Sequence, residues 1–223
     1  MSYDLTSLLE SSEKSLSKMV NLLNDVPSLC LKTLEAEQTA LIIVDMVNGF
    51  VKEGPMSSPR IQSIIEPICH LLKGANQQGI PVVAFADCHA EDCVEFSSYP
   101  THCVKDTTES EIIDEIKQAG TYDVIFKNST NGFLEPAFRD WLATHPRINH
   151  FIIVGDCTDI CVEQFAITLK TYFNANNQPS RLIVPISCVE TYDFDVHAAD
   201  LMNVIALYKM MMNGIEIIRH LEQ

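Results

Sequence analysis

The segment Phe151-Ile152-Ile153-Val154, continued by Gly155-Asp156-Cys157-Thr158-Asp159-Ile160-Cys161 and then by Val162-Glu163-Gln164-Phe165-Ala166, changes character twice. An unbroken apolar run fits a strand buried on both faces, as in a parallel sheet. The next seven residues, all but Ile160 polar, small or sulfur-bearing, read as a tight turn. The last five read as the start of a helix. Strand, turn and helix in succession place Cys161 near a helix N-terminus, where unpaired amides favour negative charge and stabilise a thiolate. A thiolate so placed is a nucleophile. The competing reading is a buried and inert cysteine.

Outward from this segment the same alternation recurs. Strand-length apolar runs occur at Ala40-Leu41-Ile42-Ile43-Val44, Pro81-Val82-Val83-Ala84-Phe85, Val124-Ile125-Phe126 and Leu182-Ile183-Val184, and more weakly at Ile215-Glu216-Ile217-Ile218. Between them lie helical patterns. Ile61, Ile64, Ile65, Ile68, Leu71 and Leu72 form one stripe with Gly79 as its stop. Ile112, Ile113 and Ile116 suggest a second helix, and Phe138, Trp141 and Leu142 a third. Residues 162–172 and 198–212 suggest two more. The pattern predicts an α/β fold of three αβα layers, with a doubly wound, mainly parallel, six-stranded sheet. Residues 39–223 form this domain. Residues 1–38 are a helical extension, in which Leu5, Leu8, Leu9, Leu16, Met19, Val20 and Leu23 recur at helical spacing and Pro27 ends the pattern. The chain lacks Gly-x-Gly-x-x-Gly and Gly-x-x-x-x-Gly-Lys-Ser/Thr, so the two common nucleotide-binding versions of this architecture are not supported.

Bulk properties exclude other classes. A length of 223 residues suits one domain with a sizeable core. A formal net charge of −15 repels phosphate backbones and predicts no nucleic-acid partner. No apolar run reaches membrane-span length, so no membrane association is expected. Met1-Ser2-Tyr3-Asp4 is acidic and polar, so no secretory leader is expected. The eight cysteines follow no disulfide-scaffold spacing, which suggests reduced thiols and a cytoplasmic location.

Ligands of open parallel sheets bind at the carboxyl ends of the strands. Asp45 ends the first run, Asp87 and His89 follow the second, Lys127 follows the third, and the turn to Cys161 follows the fourth. Each has an ordinary reading as a cap, a turn or a surface charge. Together they offer a carboxylate to take the thiol proton and later protonate an amine. They add an ammonium to favour the ionised forms, and backbone amides at Cys157 and Cys161 for a developing oxyanion. That set describes acyl transfer from an amide.

At these residues the chain resembles the isochorismatase-like cysteine hydrolases, and among them the nicotinamidases, from about Thr39 to the last strand. Ile43-Val44-Asp45-Met46-Val47-Asn48-Gly49-Phe50 is similar to the family's Val-Asp-x-Gln-x-x-Phe segment, with Val47 or Asn48 near the usual Gln or Asn. Phe126-Lys127-Asn128-Ser129, followed by Asn131-Gly132-Phe133, is similar to its Lys segment. Gly155 to Val162 is similar to its Gly-x-x-Thr-Asp-x-Cys-Val motif. The resemblance implies a catalytic triad of Asp45, Lys127 and Cys161, an oxyanion hole at the Cys157 and Cys161 amides, and a cis peptide between Asp156 and Cys157. It also implies a divalent metal, zinc, iron or manganese, held by Asp87, His89, Glu95 and His102. Mixed oxygen and nitrogen donors alone do not choose among these ions. Tyr99 stands where the family carries Trp; with Phe50 opposite, it would wall an aromatic ring.

The activity so implied is metal-dependent hydrolysis of nicotinamide to nicotinate and ammonia through a Cys161 thioester, a step of pyridine nucleotide salvage. The partner is a small-molecule amide, and the assembly is a homo-oligomer, with the first helix as a plausible contact. Other readings stay open: another small amide as substrate, or a non-catalytic scaffold docking through the first helix. Locally, Cys88, Cys93 and Cys103 with one histidine offer a structural zinc site. Cys161, His197 and Asp193 offer a protease-type triad, against a helix-capping Asp193 and a partly buried His197.

Overall fold

Apolar runs without polar interruption have nowhere to go but the middle of a sheet covered on both sides, and that is where they lie. The computed structural model describes residues 3–222. The helices are α1 (Leu5–Asn24), α2 (Asn48–Val51), α3 (Ile65–Gln78), α4 (Asp114–Ala119), α5 (Pro136–Thr144), α6 (Glu163–Ala175) and α7 (Ala199–Met212). The strands are β1 (Leu29–Cys30), β2 (Thr39–Val44), β3 (Val82–Asp87), β4 (Asp123–Lys127), β5 (His150–Asp156), β6 (Arg181–Pro185), β7 (Val189–Glu190), β8 (Glu216–Ile218) and β9 (Leu221–Glu222).

The main sheet runs β4-β3-β2-β5-β6-β8 with all neighbours parallel. From β2 the chain winds outward through β3 to β4, then returns to β5 and winds the other way. The order therefore reverses between β2 and β5, and the crevice at their carboxyl ends is a topological switch point. Six strands form this path as expected. A seventh, β7, pairs with the end of β5 through Gly155–Val189 and Asp156–Glu190. At two residues it is too short to carry a period in sequence. A separate parallel pair joins β1 to β9, also unanticipated.

Alternation along β2 divides the core. Leu41 and Ile43 pack with Ile68 and Leu72 of α3 on one face. Ala40, Ile42 and Val44 pack with Phe138 of α5 and Phe165 of α6 on the other. Each fully buried aliphatic or aromatic side chain contributes about 1.5–3 kcal/mol. The stripe from Ile61 begins as a tighter helical turn, Ile61–Ile64, continues as α3 and stops at Gly79 (φ 72°). The helix expected around Ile112 starts later, at Asp114. Ile112 bridges to Val47, and the Ile113 N–H donates to the Met46 carbonyl (3.0 Å), which holds both in extended chain. α1 lies against α7 and buries Leu23, while Leu5, Leu8 and Leu9 remain exposed. Leu31 and Leu34 join the core. Among the described residues, no helix is long and apolar enough to cross a membrane.

Gly155 (φ +115°) fixes how closely β5 approaches β2 beside the crevice. A Cβ there would stand 2.0 Å from the Val44 carbonyl oxygen, so no other residue fits without displacing a strand.

Candidate active site

Asp87 and Lys127 end adjacent parallel strands and are paired in register, so their side chains leave the same face side by side. Asp45 follows β2 in a left-handed conformation (φ 54°), which is uncommon for a non-glycine residue though more accessible to Asp than to most. Cys161 lies in a π-helical turn, Thr158–Val162, that leads from the end of β5 into α6. Lys127 Nζ gathers these groups. It is 2.9 Å from Asp45 Oδ2, 2.8 Å from Asp87 Oδ1, 3.1 Å from the Ser129 carbonyl and 3.7 Å from Cys161 Sγ. All four side chains are buried.

Burial and charge oppose each other here. Burial pushes the Asp45 carboxyl up, Lys127 pulls it down and Asp87 adds repulsion, leaving it at about 6. Asp87 goes the other way: burial pushes it up, but Lys127 and the neighbouring His102 and His89 rings outweigh that and hold it well below the carboxylate range. Lys127 stays charged despite burial because Asp45, Asp87 and Cys161 surround it. Burial pushes the Cys161 thiol well above its ordinary value, with Lys127 opposing. Burial thus works against the thiolate that the helix N-terminus favours, and Asp45, raised towards neutrality beside the sulfur, is a base within reach.

The second oxygen of Asp87 faces a different cluster. Asp87 Oδ2 is 3.0 Å from His89 Nε2 and 3.2 Å from His102 Nε2. Glu95 Oε1 is 3.9 Å from His89 Nε2. One ligand atom from each of Asp87, His89, Glu95 and His102 falls within 4.8 Å of the others. The outer ring nitrogens are occupied: His102 Nδ1 donates to the Pro100 carbonyl (2.7 Å), and His89 Nδ1 lies 3.2 Å from Asn128 Oδ1. These contacts turn both Nε2 lone pairs inward, towards carboxylate oxygens, and His89 Nε2 has no hydrogen-bond partner. Convergent lone pairs with oriented imidazoles fit a divalent cation. The three cysteines of the structural-zinc alternative do not converge. Among the described residues this is the one group with metal-ligand spacing, and it contains no thiol.

A cavity of about 310 Å³, counted to its mouth, touches both clusters. Phe50 and Tyr99 line it, with ring centroids 5.5 and 6.2 Å from that of His102. Cys157 and Cys161 line it as well. Met56, Thr130, Asp156 and Ile160 complete the wall and were not anticipated. Asp156 and Ile160 lie inside the quoted nucleophile segment, but nothing in sequence shows where they face. A larger groove, about 1450 Å³ on the same count, follows the outer edge of β4 past Val124 and Phe126 and does not reach Cys161. The Asp156–Cys157 peptide is cis.

His197 does not approach Cys161 as a base. Its Nε2 is 2.8 Å from Asp159 Oδ2 and its Nδ1 donates to the Tyr192 carbonyl (2.8 Å). Asp193 Oδ1 accepts from the Ala199 N–H at the start of α7, and its other oxygen meets Arg60. The capping Asp193 and partly buried His197 are what the fold contains.

The isochorismatase domain model matches residues 39–214. The chain is 29% identical over 207 residues to Nicotinamidase 1 of Arabidopsis thaliana, covering 80% of this chain and 84% of that protein. N-carbamoylsarcosine amidase from Thermoplasma acidophilum superposes with a TM-score of 0.67 at 27% identity, over 82% of this chain and 96% of that one. A pyrazinamidase of Pyrococcus horikoshii in complex with zinc has the same fold: TM-score 0.67, 22% identity, 82% of this chain and 99% of that one.

Proposed function

This chain belongs to the isochorismatase family, and from that premise we propose that it is a metal-dependent cysteine amidohydrolase converting nicotinamide and water to nicotinate and ammonia. One observation carries the reading: a single buried ammonium, Lys127 Nζ, contacts Asp45, Cys161 and Asp87 at once, so nucleophile, base and metal-type donor set share one centre. Removing these charges from water costs several kcal/mol per ion. A non-catalytic scaffold has no use for that expense.

In this reading the carboxamide enters between Phe50 and Tyr99. Cys161 Sγ attacks the carbonyl carbon while Asp45 takes the thiol proton. The oxygen gains charge against the peptide N–H groups of Cys157 and Cys161. Asp45 returns the proton to nitrogen and ammonia leaves, with the acyl group held as a thioester. Water then attacks, Asp45 accepts its proton, and nicotinate departs as the thiol reforms. Lys127 keeps the charge of the cluster balanced throughout. A zinc, iron or manganese ion held by Asp87, His89, Glu95 and His102 would supply a Lewis acid for the pyridine nitrogen. A neutral substrate meets no barrier from the acidic surface.

The test is ammonia release from nicotinamide by reduced enzyme loaded with each of the three metals. No turnover under any of them would defeat the assignment. A second reading, another small amide as substrate, draws on Tyr99 in the cavity wall and on the similarity to the amidase of Thermoplasma acidophilum. Turnover of a carbamoyl amide in the same assay, with nicotinamide inert, would select it.

A further inference from the structure

Asp156 takes no part in the steps above, yet it is a costly side chain to bury in the cavity wall. It is fully buried, and Oδ2 has no hydrogen-bond partner. A buried orphan of this kind is costly even when neutral, and an unpaired carboxylate costs far more. An apolar residue would avoid both. The Cys157 thiol donates to Oδ1 (3.9 Å), so Oδ1 acts as an acceptor and any proton this carboxyl carries belongs on Oδ2. We propose that Asp156 is a specificity-determining residue: a neutral carboxylic acid whose Oδ2–H donates a hydrogen bond to the oxygen of a carboxamide bound in the cavity. This rests on the amide-hydrolase reading and narrows its substrate class to neutral amides presenting a carbonyl acceptor.

The surroundings agree. Burial and the negative charge of Asp45 push Asp156 well above the carboxylate range, with Lys127 opposing. Acids kept neutral by their site act as donors where oxyanions form. A site built around such a donor discriminates strongly against ligands lacking the acceptor, because the donor is then left unpaired.

The experiment uses the metal-loaded protein in a Cys161→Ala background and measures Kd for nicotinamide and for pyridine, which lacks the carbonyl. D156L weakens nicotinamide binding about 10- to 100-fold and leaves pyridine unchanged. D156N, which keeps an N–H donor in the same place, restores nicotinamide affinity to within about threefold. Equal nicotinamide affinity in D156L and its parent overturns the proposal. Equal losses in D156N and D156L overturn the donor role. Infrared difference spectra between wild type and D156N, recorded well above the Asp45 transition, give an independent readout. A protonated-carboxyl band belonging to Asp156 supports the proposal, and its absence refutes it. Should the parent bind no nicotinamide, the nicotinamidase assignment fails. The infrared result, and the same comparison on whichever amide wild type hydrolyses, still decide the role of Asp156.

Discussion

Lys127 Nζ lies 2.8 Å from Asp87 Oδ1, while the other oxygen of that carboxylate faces His89 and His102. One buried carboxylate therefore joins the nucleophile cluster to the metal-type cluster, and neither can be altered alone. In K127A, Asp45 and Asp87 are left as buried charges without their counter-ion. Breaking a buried pair costs about 3–5 kcal/mol, so the thermal midpoint falls along with kcat, which drops by at least about 100-fold. A Lys127 variant that turned over normally would remove Lys127 from the chemistry.

In the proposed mechanism Asp45 sets the acid side of the pH profile. Its carboxyl is raised to about 6, by burial first and by Asp87. A base must be ionised to accept the thiol proton, so kcat/KM is lost as pH falls through about 6 and is level above it until another group titrates. The limb belongs to the coupled cluster rather than to Asp45 in isolation. Rates measured from about pH 4 to about pH 8 locate it. A limb near the ordinary aspartate value of about 3.9 would exclude this buried carboxyl as the base.

Chelation provides the third test. Stripping divalent metal abolishes turnover, and zinc, iron or manganese restores it to different extents. H102A lowers metal content at elemental analysis, because a donor with a fixed outer hydrogen bond is lost. Serines at Cys88 and Cys93 leave the stoichiometry unchanged. Loss of stoichiometric metal in that double variant, with retention in H102A, would restore the thiol site.

How much of this was visible in sequence follows from what each feature does to the pattern. β2, β3 and β5 are buried on both faces, so their apolar runs are unbroken, and the polar residue after each run marks the sheet edge. That is why Asp45, Asp87 and the turn to Cys161 could be placed on one rim. β4 is half exposed, and Val124 and Phe126 gave it away only by their shape. β1, β7 and β9, at two residues each, have no period to read. Arg60 pairs with Glu190 and Asp200, 130 and 140 positions away, and nothing local announces such partners. The state of Cys161 depends on desolvation, which strand, turn and helix do not reveal.

Gly155 makes the crevice sensitive to a single methyl group. G155A places a Cβ 2.0 Å from the Val44 carbonyl oxygen at a φ of +115°, so both space and backbone forbid it. The expected cost is about 3 kcal/mol or more, with a lower thermal midpoint and loss of soluble protein. By contrast, nothing lies within 4 Å of a Cβ built at Gly79. G79A meets only the left-handed conformation and costs about 1 kcal/mol. Equal melting of the two variants would mean that β2 and β5 can part without penalty.

His197 separates a residue that holds the nucleophile turn from one that acts in the chemistry. Its ring stacks on Tyr192 (4.2 Å, 7°) and pairs with Asp159, two positions before Cys161, while Thr191 Oγ1 donates to the other oxygen of Asp159 (2.6 Å). Burial works to lower His197, but Asp159 outweighs it and holds the imidazole above its ordinary value. The pair therefore stabilises the turn at acid pH and loosens as pH rises through the folded value. H197A frees one side of Asp159 and leaves Thr191 on the other. Turnover falls about tenfold, the cost of one charge-assisted hydrogen bond, and the drop narrows towards alkaline pH, where wild type has lost the same bond. Alkylation of Cys161 persists in the variant. Turnover as low in H197A as in C161A, at every pH and with the fold intact, would make the imidazole the base and displace Asp45 and Lys127 from that role.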